Sequence, residues 1–188
     1  MTVTAPRRER LLAAAAGLFA ERGFHAVGID DIGAAAGITG PGVYRHFASK
    51  RALLEALCDR AMTSMLDGAR RLRSEHPDPT EALEALVDLH AGFASEHRAL
   101  LGVYVREQRA LSDDVRRSLR RRQHEYEMVW RAAAVPLRPD LDGAEVAVVV
   151  TAVLALLNAA ALTSAAVPPD RLRGLLRDAA LAALRAGR

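Results

Sequence analysis

Cysteine is almost missing: Cys58 is the single one in 188 residues. It cannot pair within the chain, so a disulfide framework and a cysteine-rich metal site are both excluded. Histidine occurs six times, with no two at the spacing of a helical metal pair. A Gly-rich phosphate loop and a nucleophile elbow are missing as well. No metal and no cofactor are therefore expected, and the chain is not read as an enzyme. No apolar segment follows the first charges, so no secretory signal is read, and a reducing cytoplasm fits the lone thiol. Aromatics make up only 4%. β-branched runs are sparse before residue 146, whereas the helix formers Ala and Leu dominate, which predicts an all-α fold. Lysine is the rarest charge: Lys50 stands alone among 26 basic residues. The net charge of +3 is mild and permits a nucleic-acid partner without requiring one.

What is present is helical periodicity. The pattern predicts about nine helices, short before residue 48 and longer after it. Gly23 stops a first helix over 7–22. A long helix begins at Ser49 and ends near His76, before Pro77 and Pro79. Thr80 is expected to cap the next helix, and Ser112 a later one. The last two helices cover 143–164 and 170–186, split by Pro168 and Pro169. The apolar stretch from Val146 to Leu162 carries Thr151 and Asn158, follows Glu145, and is marginally short for a membrane span. It reads as a core helix, with no membrane partner. The size change suggests two units, 1–50 and 51–188.

Residues 28–47 carry the clearest signal. Ile29, Ile32 and Ala36 fall on one face of a short helix. Gly37 supplies a tight turn of positive φ. Thr39 is placed to cap the next helix, and Pro41 suits its first turn. Val43 and Phe47, at i and i+4, point back to the core. That leaves Thr39, Gly40, Pro41, Gly42, Tyr44, Arg45 and His46 facing outward. Small residues at a bare helix start let backbone approach phosphate, and Tyr, Arg and His bring donors to phosphates and base edges. The arrangement is that of a helix-turn-helix. Lys50 lies beside Ser49 at a helix start, where a cation opposes the helix dipole. Local stability does not account for it, and a phosphate partner would.

These residues resemble the N-terminal signature of TetR/AcrR-family regulators. The matching runs are Gly23-Phe24, Ile29-x-Asp31-Ile32, Ala36-Gly37-Ile38-Thr39, Val43-Tyr44-Arg45-His46-Phe47 and Ser49-Lys50-x-x-Leu53-Leu54. The resemblance implies a three-helix DNA-binding unit followed by a larger helical domain that binds an effector and dimerises. It implies a homodimeric, ligand-responsive repressor on a near-palindromic operator. By the same likeness Thr39, Tyr44, His46 and Lys50 would meet phosphates, and Gly40, Pro41 and Arg45 would lie near bases. Two positions depart from the family's pattern. Val27 and Gly28 replace a usual Thr pair, and Gly40 stands where Lys is frequent.

The larger half is less explicit. His90 lies on an apolar stripe, as a structural histidine or a ligand contact. Arg122 falls between Leu119 and Tyr126 on another stripe. An inward Arg needs an anion, because an unpaired buried charge is costly. Its partner is an internal acid such as Glu107, or the anionic group of an apolar small-molecule effector. His90, Tyr104, Arg122 and Tyr126 are the candidate effector residues. The stretches 104–109 and 119–130 resemble family members that sense acyl-CoA thioesters. The helix over 143–164 has a small face (Ala147, Thr151, Ala155, Asn158) and a bulky one (Val146, Val149, Val150, Val153, Leu157). The resemblance places this helix and the last one in a dimer interface, with that small face and Leu172, Leu175, Leu176 and Ala179 as its candidate residues; the alternative is a monomeric core. The competing readings are a helical-bundle enzyme, which lacks a convergent acid, base and nucleophile, and an interaction adaptor, which would not bind DNA in a salt-dependent way.

Overall fold

The computed structural model describes residues 6–162 and 166–186. Nine α-helices form among the described residues: α1 (Arg7–Arg22), α2 (Ile29–Ala36), α3 (Gly40–Tyr44), α4 (Lys50–Glu75), α5 (Pro79–Glu96), α6 (Arg98–Arg106), α7 (Asp113–Ala134), α8 (Gly143–Asn158) and α9 (Pro169–Arg185). Three short 3-10 turns lie at Gln108–Ala110, Val135–Leu137 and Ala159–Leu162.

The helix ends follow local chemistry. Gly23 closes α1 at φ 80°, where a side chain would be strained. Ser49 caps α4 by accepting from Ala52 N at 3.1 Å. Asp142 and Glu145 form a reciprocal box at the start of α8: Ala144 N and Glu145 N donate to Asp142, and Asp142 N donates to Glu145. Two expected caps differ. Asp78, not Thr80, caps α5, because its carboxylate accepts from Thr80 N and Glu81 N and Pro79 takes the first helical position. Ser112 occupies the cap position of α7 by backbone alone. The expected helix over 143–164 tightens into a 3-10 turn after Asn158, and its last residues, 163 and 164, lie outside the described residues.

Two apolar cores divide the molecule. The first joins Leu11, Ala15, Phe19, Ile32, Val43 and Phe47 to Leu53, Leu54 and Leu57 of α4, and is completed by Val103, Leu111 and Leu119 from further along the chain. The second joins Met65, Leu66 and Ala69 of α4 to α5 and α7 through α9, around Trp130. Helix α4 thus belongs to both.

Gly143–Leu162 is long and apolar enough to cross a membrane by length and composition. Here Val146, Val150, Val153 and Leu157 enter the second core, as the bulky face predicts. Thr151, Ala155 and Val148 are exposed on the opposite side, and Ala147 is half-buried. Three residues of the expected dimer face are elsewhere. Leu172 and Leu176 are buried within the chain on the core side of α9. Asn158 is turned toward α5, where it bonds to His90. Leu175 and Ala179 do face outward.

Candidate nucleic-acid interface and effector cleft

The helix-turn-helix is assembled by two glycines. Gly37 adopts φ 66° and ψ 38°, the left-handed geometry that ends α2, and Ile38 N then bonds back to Gly33 O at 2.8 Å. A Cβ on Gly33 would sit 2.6 Å from Ile38 O, so α2 and the turn touch only because this side chain is missing. Gly28 holds the cap position of α2 without a hydroxyl; its N–H donates to Asp31 at 2.8 Å. Gly40 has Asp30's carboxylate over it, and a larger residue there would displace that side chain.

Helix α3 presents two contrasting sides. Val43 and Phe47 are buried. Thr39, Pro41, Tyr44, Arg45 and His46 are exposed, and Gly40 is half-buried. Thr39 starts α3 by its backbone, and its hydroxyl does not close the expected cap. Sequence patterning missed two partners of this surface. Arg7 and Arg10, from the start of α1, share a hollow with Thr39, Arg45 and His46. Arg10 Nε is buried in the molecule without a hydrogen-bond partner among the described residues. The signal in the sequence was the basic run at Arg7, Arg8 and Arg10, which reads as an ordinary solvated helix start.

Lys50, expected at a phosphate, is held within the chain by contacts that the sequence does not announce. Its ammonium donates to Phe24 O (2.8 Å), His25 O (3.3 Å) and Val27 O (2.7 Å), and lies 4.7 Å from the Phe24 ring centre. An ammonium has three protons, and all three are taken. Lys50 therefore ties the loop after α1 to the start of α4, which is the local explanation that helix-dipole reasoning did not supply.

The second site is a cleft of about 90 Å³ between α4, α5, α6, α7 and α8. Met62, Met65, Phe93, Leu100, Leu101 and Leu154 give it apolar walls. Its polar members are His90, Tyr104, Gln123, Tyr126, Glu127 and Asn158. His90 joins Tyr126 Oη through Nδ1 (3.1 Å) and Asn158 Oδ1 through Nε2 (3.2 Å). Burial lowers the His90 pKa to about 4, against a smaller opposing effect of the Asn158 bond. Burial likewise raises the Tyr126 phenol. Tyr104 Oη donates to Gln123 Oε1 at 3.4 Å.

Three of the four expected effector residues, His90, Tyr104 and Tyr126, meet at this cleft. Arg122 does not. Its guanidinium turns along α4, bonding Asp59 Oδ1 at 2.6 Å and Thr63 Oγ1 at 2.6 Å. The anion it requires is thus an internal acid, and that acid is Asp59 rather than Glu107. Glu107 instead accepts from Phe24 N at 3.3 Å.

A glycine-hinged helix pair on one core, joined by a shared helix to a second core with an internal cleft, defines a helix-turn-helix transcriptional regulator of the one-chain, ligand-responsive kind. The match to known families agrees. Residues 11–57 match "Bacterial regulatory proteins, tetR family", and residues 76–162 match "Tetracyclin repressor-like, C-terminal domain". The chain is similar to the transcriptional repressor KstR2 of Mycolicibacterium smegmatis, at 33% identity over 147 residues, covering 73% of this chain and 71% of that one. It is 37% identical over 87 residues to the transcriptional activator FasR of the same organism, a match spanning 46% of this chain and 40% of FasR. The fold superposes on the TetR-family regulator PfmR of Thermus thermophilus with a TM-score of 0.82 at 26% identity, covering 95% of this chain and 99% of that one. The chain belongs to the tetR family of bacterial regulatory proteins, which are DNA-binding transcription factors and not enzymes.

Proposed function

We propose that the protein is a cytoplasmic repressor that binds a near-palindromic operator as a homodimer and leaves it when a small molecule enters the cleft. The observation that carries this reading is the contrast across α3: Val43 and Phe47 are anchored in the core while Tyr44, Arg45 and His46 stand free. Thr39, Tyr44 and His46 hold phosphates. Gly40, Pro41 and Arg45 lie against bases. Arg7 and Arg10 add phosphate contacts beside them. Residues 1–50 form the DNA-binding unit, and residues 51–188 form the unit for effector and partner.

The dimer face is the exposed side of α8 and α9. Ala147, Val148, Thr151, Ala155, Leu175 and Ala179 form it, and an apolar surface of this kind calls for a cover. Two-fold pairing through these helices places two reading heads on one side of the duplex, roughly 34–36 Å apart or at a larger spacing.

Selection of bound duplexes from random DNA tests the reading. An inverted repeat is expected. Arg45→Ala should relax preference at one base position of each half-site, by about 1–3 kcal/mol. Arg10→Ala should weaken all duplexes alike and lower the salt slope by about 1. Recovery of asymmetric, monomer-sized sites alone, or an Arg45→Ala profile identical to that of the parent, would overturn it.

A further inference from the structure

We propose that the part of the effector seated in the cleft is uncharged and mainly apolar, and that its one buried polar group is an acceptor oxygen such as a ketone or ester carbonyl. The proposal rests on the ligand-responsive reading above and names the chemistry of the molecule that reading requires.

The direction of the buried hydrogen bonds carries the argument. Asn158 brings its carbonyl oxygen, Oδ1, to His90 Nε2. That oxygen only accepts, so the proton of His90 resides on Nε2. His90 Nδ1 is then bare, and it accepts from the Tyr126 hydroxyl. The imidazole is neutral at physiological pH, because burial holds its pKa near 4. Donation thus runs from Tyr126 to His90 to Asn158. It ends on the Asn158 amide, whose NH2 protons take no acceptor among the described residues. Asn158 lines the cleft. The polar end of the cleft therefore offers donors, and a ligand must answer with an acceptor.

Charge decides what kind of acceptor. Among the described residues no Arg or Lys lines the cleft, and the one ionisable carboxyl there belongs to Glu127. Arg122 is engaged by Asp59 and Thr63 outside it. A carboxylate ligand would lose its water and lie near Glu127, while the guanidinium close by, Arg122, is already paired with Asp59, a balance that amide donors do not redress. A primary ammonium at the polar end of the cleft would set its own protons against those of Asn158, donor against donor. A neutral carbonyl meets neither penalty. The remaining walls, Met62, Met65, Phe93, Leu101 and Leu154, suit an alkyl or alicyclic body.

The chain contains one tryptophan. Trp130 is buried, with its ring centre 6.2 Å from His90 and 6.1 Å from Tyr126. Its emission reports on this polar chain directly. Full-length protein is titrated at pH 7.5 with 2-undecanone, decanoate and decylammonium, each below its aggregation threshold. 2-Undecanone should shift Trp130 emission saturably and bind at least about tenfold more tightly than either charged probe. Asn158→Leu should lower the ketone's affinity about 2- to 10-fold, with helicity retained. Asn158→Asp reverses the polarity of the site, so it should lose the ketone and gain decylammonium. Decanoate binding as tightly as 2-undecanone overturns the proposal. So does the lack of any saturable change with the ketone, or an unchanged ketone affinity in both variants. The selected operator duplex is followed in parallel by gel shift. A protein that binds 2-undecanone but retains no duplex overturns the regulator reading and leaves the chemistry of the cleft standing.

Discussion

At the scale of single residues, the fate of a long side chain was the least legible quantity. Periodicity placed Arg122 on an apolar stripe, and its Cα is indeed between Leu119 and Tyr126. A guanidinium on a flexible stem can still leave that stripe, and here it reaches Asp59. Lys50 is the converse case. Its rarity made it conspicuous, yet nothing in the local sequence announces three carbonyls contributed by residues 24, 25 and 27. Lys50→Met should lower stability in the absence of DNA by about 1–3 kcal/mol, since it leaves these acceptors without their charged donor. Urea melts measure this; an unchanged midpoint combined with a smaller salt slope of DNA binding would return Lys50 to the phosphate contacts. His90 gives a pH prediction. Its folded pKa of about 4 lies below the unfolded value near 6.5. Between these values the unfolded chain binds more protons, so stability falls as pH drops from 6.5 toward 4 and is unaffected above 6.5. The loss amounts to about 3 kcal/mol at most. Melts at pH 7.5, 6 and 5 should show this slope in the parent and a shallower one in His90→Phe; equal slopes would assign the titration to another group.

At the scale of helices, existence and type were well marked, because Gly23, Gly37 and the Pro pairs punctuate a strongly periodic sequence. Ends were less so. Asp78 and Thr80 are both competent caps, and the choice fell to the one followed by proline. The faces of α8 were legible as small and bulky, and burial divided them nearly as the side-chain sizes did. Asn158 broke the pattern because a polar side chain at the end of a helix follows its hydrogen-bond partner, and that partner, His90, is 68 residues away. Ala155 keeps its place on the exposed face. Ala155→Arg should abolish the proposed dimer while helicity is retained, because that pairing would bury a guanidinium without a partner. Sedimentation over a range of concentrations checks this, and a fully dimeric variant would move the interface elsewhere.

At the scale of the whole molecule, the first core is closed by residues from the second half of the chain. Helix α6 shows how. Leu101 and Tyr104 line the cleft, whereas Val103 enters the core of the DNA-binding unit and Glu107, just beyond, holds the Phe24 amide. The sequence marks α4 as the obvious connection between the units, because it is continuous across the boundary. It does not mark α6, because contacts separated by 83 residues leave no periodic trace. A ligand that displaces α6 pulls on the loop after α1, the same loop that Lys50 ties to α4. Coupling between two such sites typically changes affinity about 5- to 150-fold. Glu107→Leu should leave 2-undecanone binding intact by Trp130 emission and reduce ligand-driven operator release several-fold in gel shifts. Full release in that variant would assign the coupling to α4 alone.

The carbonyl-bound Lys50 also has a consequence for reagents. Apart from the α-amino group it is the one primary amine in the chain, and its protons are already committed. Formaldehyde and succinimidyl esters act mainly through such amines. The DNA contacts proposed above include no amine, and so give these reagents little to capture. Formaldehyde mapping of its chromosomal sites would under-recover it, whereas ultraviolet cross-linking at the exposed Tyr44 ring does not depend on an amine.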